Sequence, residues 1–239
     1  MQTKGTSEGT ALLRRMLGSV RFPFPKPLPL VRALIEQCTA GNDLVVDFFA
    51  GSGTTAHAVL AQNDEDGEDR RFVLVSTTEA TSDEPEKNVC RDVCQRRIAK
   101  AIKGYSYPTK TGPKEVPGLG GNFAYLRTRR IAPGKLLDID HAQVWIALQL
   151  AHDYPVLPYV EAPFLWSGND DEAVCYVPRF RREDAPALRR KVKMAGAVVL
   201  YSWQPQVVRQ HVRAGHVTHL PIPETLARRF GLNLGVSPA

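Results

Sequence analysis

Cysteine is scarce in this sequence, with four residues among 239. Cys38, Cys90, Cys94 and Cys175 are irregularly spaced, so we expect neither a disulfide scaffold nor a zinc site. No apolar run approaches the ~20 residues that span a bilayer, which excludes a transmembrane protein. The first ten residues, MQTKGTSEGT, lack the apolar core of a signal peptide. We therefore predict a cytoplasmic protein that is not secreted.

What the sequence does contain is typical of a globular protein. Hydrophobic residues make up 43% and charged residues 23%, too apolar a composition for a disordered chain, and the length allows one or two domains. The net charge of +6 is unevenly distributed: residues 41–106 hold eight basic and twelve acidic side chains, whereas 1–40 and 107–239 are both net positive. Basic segments on both sides of an acidic middle are typical of a protein that binds a polyanion such as nucleic acid. They are equally typical of an ordinary charged, solvated surface.

Hydrophobic periodicity in the first part of the chain predicts a parallel α/β arrangement. Residues 44–49 and 71–76 are runs of β-forming apolar residues, and 54–62 and 88–103 repeat apolar residues at helical spacing. The order strand, turn, helix, strand, helix is typical of parallel strands joined by right-handed crossovers. Because 44–49 is apolar on both faces, we expect it inside a sheet that helices cover on both sides. Further helices are predicted at 8–18 and 30–39, separated by a rigid proline-rich loop at 21–29.

The rest of the chain predicts a small C-terminal α/β domain. Residues 106–122 are rich in proline and glycine and poor in apolar residues, which is typical of a linker. We therefore divide the chain into 1–105, a linker at 106–122, and a C-terminal domain of unknown role at 123–239. In that domain, strands are predicted at 123–131, 173–177 and 197–203, and helices at 140–151, 186–194, 204–213 and 224–230.

The most informative motif is a glycine-rich turn between the first strand and the helix after it, Asp47-Phe-Phe-Ala-Gly-Ser-Gly-Thr-Thr55. Glycine lets a backbone approach a ligand closely, and the unpaired N–H groups of a helix start then face that ligand. The motif is not the dinucleotide pattern GxGxxG, and it lacks the Gly-Lys-Ser/Thr ending of an ATP-binding loop. Asp47, at the end of the strand, is placed either to receive donors from a ligand or to hold the loop.

A second candidate is Glu79, which follows the second predicted strand. A carboxylate at the tip of a neighbouring strand suits a pair of ribose hydroxyls, and a solvated loop carboxylate is the alternative. Other polar residues favour structural interpretations. We interpret His57 as a helix residue, and Cys90 and Cys94 as small apolar packing residues. The basic cluster at 179–193 is either a solvated helix face or a phosphate contact.

Four segments, taken in order, resemble the C-terminal half of amino-group DNA methyltransferases of the β arrangement. They are Phe22-Pro-Phe-Pro-Lys-Pro-Leu-Pro-Leu30, Asp47-Phe-Phe-Ala-Gly-Ser-Gly-Thr-Thr-Ala-His-Ala-Val59, Asn63-x-Glu-Asp-Gly67 and Arg70-Arg-Phe-Val-Leu-Val75. The likeness is strongest to the modification (Mod) subunit of type III restriction–modification systems, which methylates adenine N6 with S-adenosylmethionine. The resemblance extends over about residues 3–105. It implies part of a Rossmann-like, S-adenosylmethionine-dependent methyltransferase sheet, with double-stranded DNA as the substrate of the complete enzyme.

The resemblance also implies roles for individual residues. Glu79 matches the carboxylate that binds the ribose hydroxyls, although the family's usual Gln-Leu-Pro-Glu surroundings are replaced here by Thr77-Thr-Glu-Ala80. The proline–lysine loop that closes over the cofactor is matched by Phe24, Lys26 and Pro27, with a solvated lysine as the alternative for Lys26. The segment that wraps the methionine part of the cofactor is matched by Asp47, Phe48, Ala50, Gly51, Ser52, Gly53 and Thr54.

One element of the family is missing from this sequence. The methyl group is transferred at an Asp/Asn-Pro-Pro-Tyr/Phe/Trp tetrapeptide that holds a flipped-out base, and no such tetrapeptide occurs here. In the β arrangement it precedes the proline–lysine loop, as does the target-recognition region, so we expect both on an upstream catalytic half or subunit. The chain alone is therefore predicted to bind S-adenosylmethionine weakly or not at all, and not to methylate.

The missing half also has a structural consequence. Residues 44–49 would pair with 71–76 on one flank only, which leaves an apolar strand with an open edge. We expect another polypeptide, or a rearranged C-terminal segment, to complete that edge, or the edge to stay open. A restriction (Res) subunit is a further candidate partner. The alternative function is a non-enzymatic interaction or DNA-binding module that retains a methyltransferase remnant, and methylation of RNA or protein is a third possibility.

Overall fold

The computed structural model describes residues 6–18, 22–128, 139–222 and 225. It divides the chain into two compact units, with the boundary between Leu126 and Arg127. Each unit is a mixed α/β structure with its own hydrophobic core. Within the described residues, no helix combines the length and the apolarity that crossing a membrane requires.

The first unit combines helices with two small two-stranded sheets. Its helices are α1 (Thr6–Leu17), α2 (Leu28–Cys38), α3 (Thr54–Asp66) and α4 (Arg96–Lys103), the last preceded by a π-helix at Cys90–Gln95. Its strands are β1 (Leu44–Asp47), β2 (Arg71–Leu74), β3 (Tyr105–Thr109) and β4 (Gly112–Val116). β1 and β2 pair in parallel, as the sequence predicts, whereas β3 and β4 form an antiparallel hairpin.

The two faces of the β1–β2 sheet differ sharply. Val45 and Phe72, paired across the strands, pack against Ile35 of α2 and Val59 of α3. The opposite face is open to solvent, although most of its side chains are apolar. It is formed by Leu44, Val46, Val73 and Val75, each between 44% and 51% exposed, together with the exposed Arg71 opposite Leu44. The expectation that helices cover both faces is therefore wrong within the described residues.

α3 extends one turn beyond the predicted end at residue 62, to Asp66. Its last turn is polar, so hydrophobic periodicity gives no signal there. Asn63 donates to the carbonyl oxygen of Arg70 at 2.9 Å and accepts from its backbone N–H at 3.2 Å. Asp66 accepts from the Arg70 guanidinium at 2.8 Å. These bonds, together with Gly67 in a left-handed conformation, end the helix and direct the chain into β2.

The segment predicted as a linker, 106–122, is largely the β3–β4 hairpin. Proline and glycine suggested an unpaired segment, but Pro108 and Pro113 lie opposite each other in the ladder of a two-stranded sheet, where a missing donor is tolerated. Leu119 then donates its N–H to Ala101 at 2.9 Å, which ties the segment to α4. The predicted strand 123–131 is also wrong for residues 123–128, which have no regular structure, and 129–131 lie outside the described residues.

The second unit is built on a four-stranded sheet in the order β5-β6-β7-β8. Its strands are β5 (Leu165–Gly168), β6 (Glu172–Val177), β7 (Ala197–Ser202) and β8 (Val217–Pro221), and its helices are α5 (His141–Ala151), α6 (Ala185–Val192) and α7 (Pro205–His211). β5 is antiparallel to β6, and the other pairs are parallel. All three helices and both central strands agree with the sequence prediction, whereas β5 and β8 were not predicted. The predicted helix 224–230 lies outside the described residues except at 225.

The central strands of this second sheet are covered on both faces. Cys175 and Leu200 pack with α6 and α7, and Val174 and Tyr176 pack with Trp145 of α5. α5 starts where predicted, with the Asp140 side chain accepting from the Ala142 N–H at 3.0 Å. The C-terminal α/β unit expected from the sequence is therefore a three-layer structure.

Candidate functional site

The glycine-rich turn lies where the two parallel strands of the first unit end. β1 ends at Asp47 and α3 begins at Thr54, with Gly53 preceding the helix without a side-chain cap. The Val75 N–H donates to the Asp47 carbonyl at 2.8 Å, and the Ala50 N–H donates to the Val75 carbonyl at 3.0 Å. The turn is thereby fixed to the chain leaving β2. This edge, at the carboxyl ends of parallel strands, is where open α/β sheets bind ligands.

The Asp47 carboxylate holds the turn together. One oxygen accepts from the Phe49 N–H at 2.9 Å, and the other accepts from the Thr55 hydroxyl at 2.6 Å. Of the two roles that the sequence left open for Asp47, the geometry supports the one of holding the loop. Thr55 was not among the predicted site residues.

The two glycines of the turn are required by packing within the protein. Gly51 and Gly53 both have left-handed backbones, with φ of 47° and 74°. A Cβ at Gly51 would lie 3.0 Å from Cζ of Phe22, and one at Gly53 would lie 2.8 Å from Sγ of Cys94. The Phe22 ring thus brings the proline-rich loop onto the glycine-rich turn. Two motifs that are separate in the sequence form one surface in the fold.

A buried polar layer lies behind the turn. Ser52, Thr54 and His57 are each 6% exposed or less, and Arg97 of α4 is fully buried. Nη1 of Arg97 donates to the Thr54 hydroxyl at 2.7 Å and to the Ser52 hydroxyl at 3.1 Å, and its Nε donates to Nδ1 of His57 at 3.4 Å. Ser52 and Thr54, predicted to contact a cofactor, have their hydroxyls directed at this arginine, and their predicted contact with a cofactor stays a prediction.

Burial controls the charges in this layer. Burial, with a smaller contribution from the charge of Arg97, lowers the pKa of His57 to about 3, so its ring is neutral at pH 7. Burial also lowers the pKa of Arg97 to about 10, which leaves it protonated. Burial raises the pKa of Cys94 to about 12, so its thiol is neutral. His57 is therefore a neutral acceptor in the core, in agreement with the structural interpretation made from sequence.

The predicted cofactor residues fall into buried and exposed groups. Pro27 and Ala50 are buried with Ser52, Gly53 and Thr54 and shape the site from behind. The side chains open to solvent are Phe24 (75% exposed), Lys26, Phe48 (68% exposed) and Glu79. Glu79 follows β2 on the same edge of the sheet as the turn, and its Oε2 lies 3.8 Å from Nζ of Lys87.

Two of these exposed residues have unusual backbones. Phe24 and Glu79 have φ of 54° and 56°, the left-handed region that side chains rarely adopt. Such a conformation costs on the order of 1 kcal/mol and is concentrated at binding sites. Both residues come from segments that the sequence assigned to a cofactor.

Sequence reasoning missed three residues that organise the site: Phe22, Thr55 and Arg97. Phe22 and Thr55 lie inside the quoted motifs, but only the fold reveals their contacts. Arg97 had a readable signal, because it is four residues from both Val93 and Ala101, two positions of the apolar helix face. An arginine on that face indicates a buried partner.

Other cavities and clusters give no rival site. A cavity of about 750 Å³ in the second unit is lined by α7 and β8 residues, and one of about 460 Å³ lies between α1 and the start of α2. Neither is lined by a predicted cofactor residue. Across the described ranges, no group of three or more His, Cys, Asp or Glu side chains is arranged to hold a metal ion.

Comparison with known proteins shows which proteins the segment containing this edge is similar to. Residues 3–90 match the family model of N6/N4 methyltransferases, described as DNA methylase. This range contains α1, the proline-rich loop, the glycine-rich turn, both parallel strands and Glu79. The resemblance predicted from the motifs is confirmed for this segment.

Individual relatives are modification enzymes. The chain is 44% identical over 75 residues to the Mod subunit of the type III restriction–modification enzyme StyLTI of Salmonella typhimurium. It is 45% identical over 74 residues to the EcoPI Mod subunit of Escherichia phage P1, and 38% identical over 72 residues to the type II methyltransferase M.KpnI of Klebsiella pneumoniae. These matches span 30–31% of this chain, but only 12% of each Mod subunit and 17% of M.KpnI.

Proposed function

We propose that this chain is the cofactor-binding portion of an S-adenosylmethionine-dependent DNA adenine-N6 methyltransferase of the type III Mod kind. The observation that carries the proposal is the turn after β1, which lies within the matched residues 3–90 and is packed against the matched proline-rich loop through Phe22. A Rossmann-like sheet, of which β1 and β2 are a part, is the fold we propose for the complete enzyme.

The residues present fit the proposed cofactor. Glu79 offers an exposed carboxylate for two ribose hydroxyls, and the start of α3 has no side-chain cap to compete for its first N–H groups. Phe24, Lys26 and Phe48 are exposed and available to close over a ligand. S-adenosylmethionine would supply the methyl group carried on its sulfonium. The residues of this chain would position it, which is the main contribution of protein to a direct displacement.

Under this proposal the methyl acceptor is held outside these 239 residues, by an upstream catalytic half or subunit. No Asp/Asn-Pro-Pro-aromatic tetrapeptide occurs in the 239 residues, so the flipped adenine would be bound by a catalytic half that also recognises double-stranded DNA. The apolar face of β1 and β2, and the free edge of β1, lie beside the turn and suit such a partner. A Res subunit is a further partner by analogy with the Mod relatives.

A ligand titration followed by NMR tests the cofactor site. We expect S-adenosylhomocysteine to shift the amide signals of residues 47–54 and 79 selectively, with weak affinity because half of the site is missing. Glu79→Ala should weaken binding at least five-fold, which corresponds to about 1 kcal/mol. Glu86→Ala, an exposed carboxylate of the same loop, is the matched control and should bind normally. Absence of shifts at the turn, both in the chain alone and in its mixture with the catalytic half, would defeat the cofactor role and favour the interaction module.

A complementation assay tests the partner. We expect no transfer of labelled methyl groups to DNA by the chain alone, and transfer when it is mixed with the product of an adjacent reading frame that encodes the tetrapeptide. Val73→Lys on the open sheet face should reduce transfer at least ten-fold, since a lysine there would be desolvated on docking. Leu34→Lys, at a 53% exposed position of α2, is the control. Methylation by the single chain would contradict the proposal.

A further inference from the structure

Arg97 is a fully buried arginine without an acidic partner. Among the described residues no carboxylate lies within ion-pair distance of its guanidinium, and its Nη2 has no hydrogen-bond partner. Burying an unpaired charge is costly, and an apolar side chain would fill the same volume without that cost. The presence of arginine here therefore requires an explanation other than packing.

The acceptors of Arg97 supply that explanation. They are Ser52 and Thr54, which flank Gly53, and His57 in the first turn of α3. All three are 40 to 45 positions away in sequence, so one side chain connects α4 to both the turn and the helix start. The planar fork of a guanidinium holds several acceptors in a fixed geometry, which a lysine cannot do.

The other contacts of the turn do not connect its inner side to α4 by hydrogen bonds. Asp47 fixes the turn on its exposed side, through Phe49 and Thr55. On the buried side, Cys94 is in van der Waals contact with Gly53, the Gly53 N–H donates to the Ala50 carbonyl at 2.7 Å, and the Ser52 and Thr54 hydroxyls lie 3.2 Å apart. Those two hydrogen bonds stay within the turn, whereas the hydrogen bonds of Arg97 connect its inner side to α4.

We infer that Arg97 is a positioning residue: it fixes residues 52–57 from behind, and so holds the glycine-rich turn in the shape that receives the cofactor. The inference rests on the proposed function for the identity of that ligand. It assigns no contact between Arg97 and the ligand, because the guanidinium is fully buried. The neutral ring of His57, which accepts from Nε on Nδ1, carries its own proton on Nε2 in this arrangement.

The test compares two variants of α4 that remove buried side chains. Arg97→Met removes the hydrogen bonds, whereas Ile98→Ala removes apolar packing from the adjacent buried position. We expect amide hydrogen exchange at Gly53 and His57, whose N–H groups donate to the carbonyl oxygens of Ala50 and Gly53, to accelerate at least ten-fold in Arg97→Met and to change less than two-fold in Ile98→Ala. Arg96→Met, on the exposed side of the same helix, should leave it unchanged.

Two further measurements separate positioning from general stability. Arg97→Lys should fail to restore slow exchange at the turn, and the ring nitrogens of His57 should lose their single tautomer in the NMR spectrum of Arg97→Met. If Arg97→Met does not fold, the double change Ser52→Ala with Thr54→Val removes two acceptors and should give the same acceleration. Equal acceleration in Ile98→Ala, or rescue by lysine, would overturn the inference.

Ligand affinity then links the inference to function. S-adenosylhomocysteine should bind at least ten-fold more weakly to Arg97→Met and within two-fold of normal to Ile98→Ala. The exchange experiment needs no ligand, so failure of the unaltered chain to bind, both alone and with the catalytic half, would count against the proposed function and not against the positioning role. Normal binding by Arg97→Met would overturn the positioning role.

Discussion

Each unit of this protein contains a pair of parallel, mainly apolar strands, and the two pairs differ in how far they are buried. β6 and β7 have helices on both faces, and Val174, Cys175 and Leu200 in these strands are each 1% exposed or less. β1 and β2 are equally rich in apolar residues, yet every second one is about half exposed. Within the described residues, the first sheet therefore leaves a largely apolar face exposed, whereas the central strands of the second sheet are covered on both faces. An apolar strand predicts burial, but not that the burying surface belongs to the same chain.

The largest effect expected from this contrast concerns two leucines. Leu200→Ala should lower the free energy of unfolding of the second unit by about 3 kcal/mol, because Leu200 is fully buried and its loss leaves a cavity. Leu44→Ala, at 51% exposure on the open face, should cost less than about 0.5 kcal/mol.

Tryptophan makes the comparison measurable. The three tryptophans, Trp145, Trp166 and Trp203, all lie in the second unit, so their fluorescence during urea unfolding reports that unit alone. Far-UV circular dichroism reports both units. A loss of several kcal/mol on Leu44→Ala would mean that the open face is covered within the chain.

The second-largest expected effect is a loss of stability of the first unit at acidic pH. The folded first unit binds a proton at His57 only near pH 3, whereas the unfolded chain binds it below about pH 6.5. The unfolded state therefore takes up the proton first as the pH falls, so stability present above pH 6.5 is lost progressively down to about pH 3. The free energy of unfolding of the first unit should be about 2 kcal/mol lower at pH 5 than at pH 7 on account of His57.

The measurement is a pair of urea titrations at the two pH values, on the unaltered chain and on His57→Gln. Glutamine keeps an acceptor for Arg97 but does not titrate, so the difference in pH dependence between the two proteins isolates His57. NMR should show the His57 ring unprotonated at pH 5. An ordinary titration of that ring near pH 6.5 would show that it is not buried as described.

The smallest expected effect on stability concerns the starts of two helices, one with a side-chain cap and one without. α5 of the second unit is capped by Asp140, and Asp140→Ala should lower stability by about 1 kcal/mol, visible in tryptophan fluorescence. α3 of the first unit begins after Gly53 with no side-chain cap. Asp140→Asn retains the acceptor oxygen and should cost only a few tenths of a kcal/mol. Equal losses in both variants would indicate that charge at the helix start, and not the hydrogen bond, is responsible.

The sequence predicted much of the fold because apolar periodicity is local. It located α1 to α7 and both parallel pairs of central strands, with differences at the ends. It failed at the β3–β4 hairpin, because proline and glycine in 106–122 indicate a linker, whereas the two-stranded ladder accommodates Pro108 and Pro113. It also failed at the last turn of α3, where bonds to Arg70 replace apolar contacts. Side-chain pairing across distant positions has no periodic signal.

Part of the candidate site can likewise be predicted from the sequence, and the rest depends on tertiary contacts. The motifs 22–30 and 47–59 are contiguous, so their family is readable from order and spacing alone. That Ser52 and Thr54 face Arg97, while Glu79 and Phe48 face solvent, depends on contacts between residues more than twenty positions apart. The roles of the exposed residues toward a cofactor stay a prediction.

By itself, then, the amino-acid sequence determined the helices α1 to α7, the strands β1, β2, β6 and β7, the motif that joins β1 to α3 and the family that this motif resembles, since these depend on neighbours along the chain. Only the tertiary structure decided which apolar face stays open and which arginine supports the turn. Burial of a face and pairing of a charge depend on what comes within a few ångströms in space, and that proximity is set by the packing of α2, α3 and α4 on one side of a two-stranded sheet.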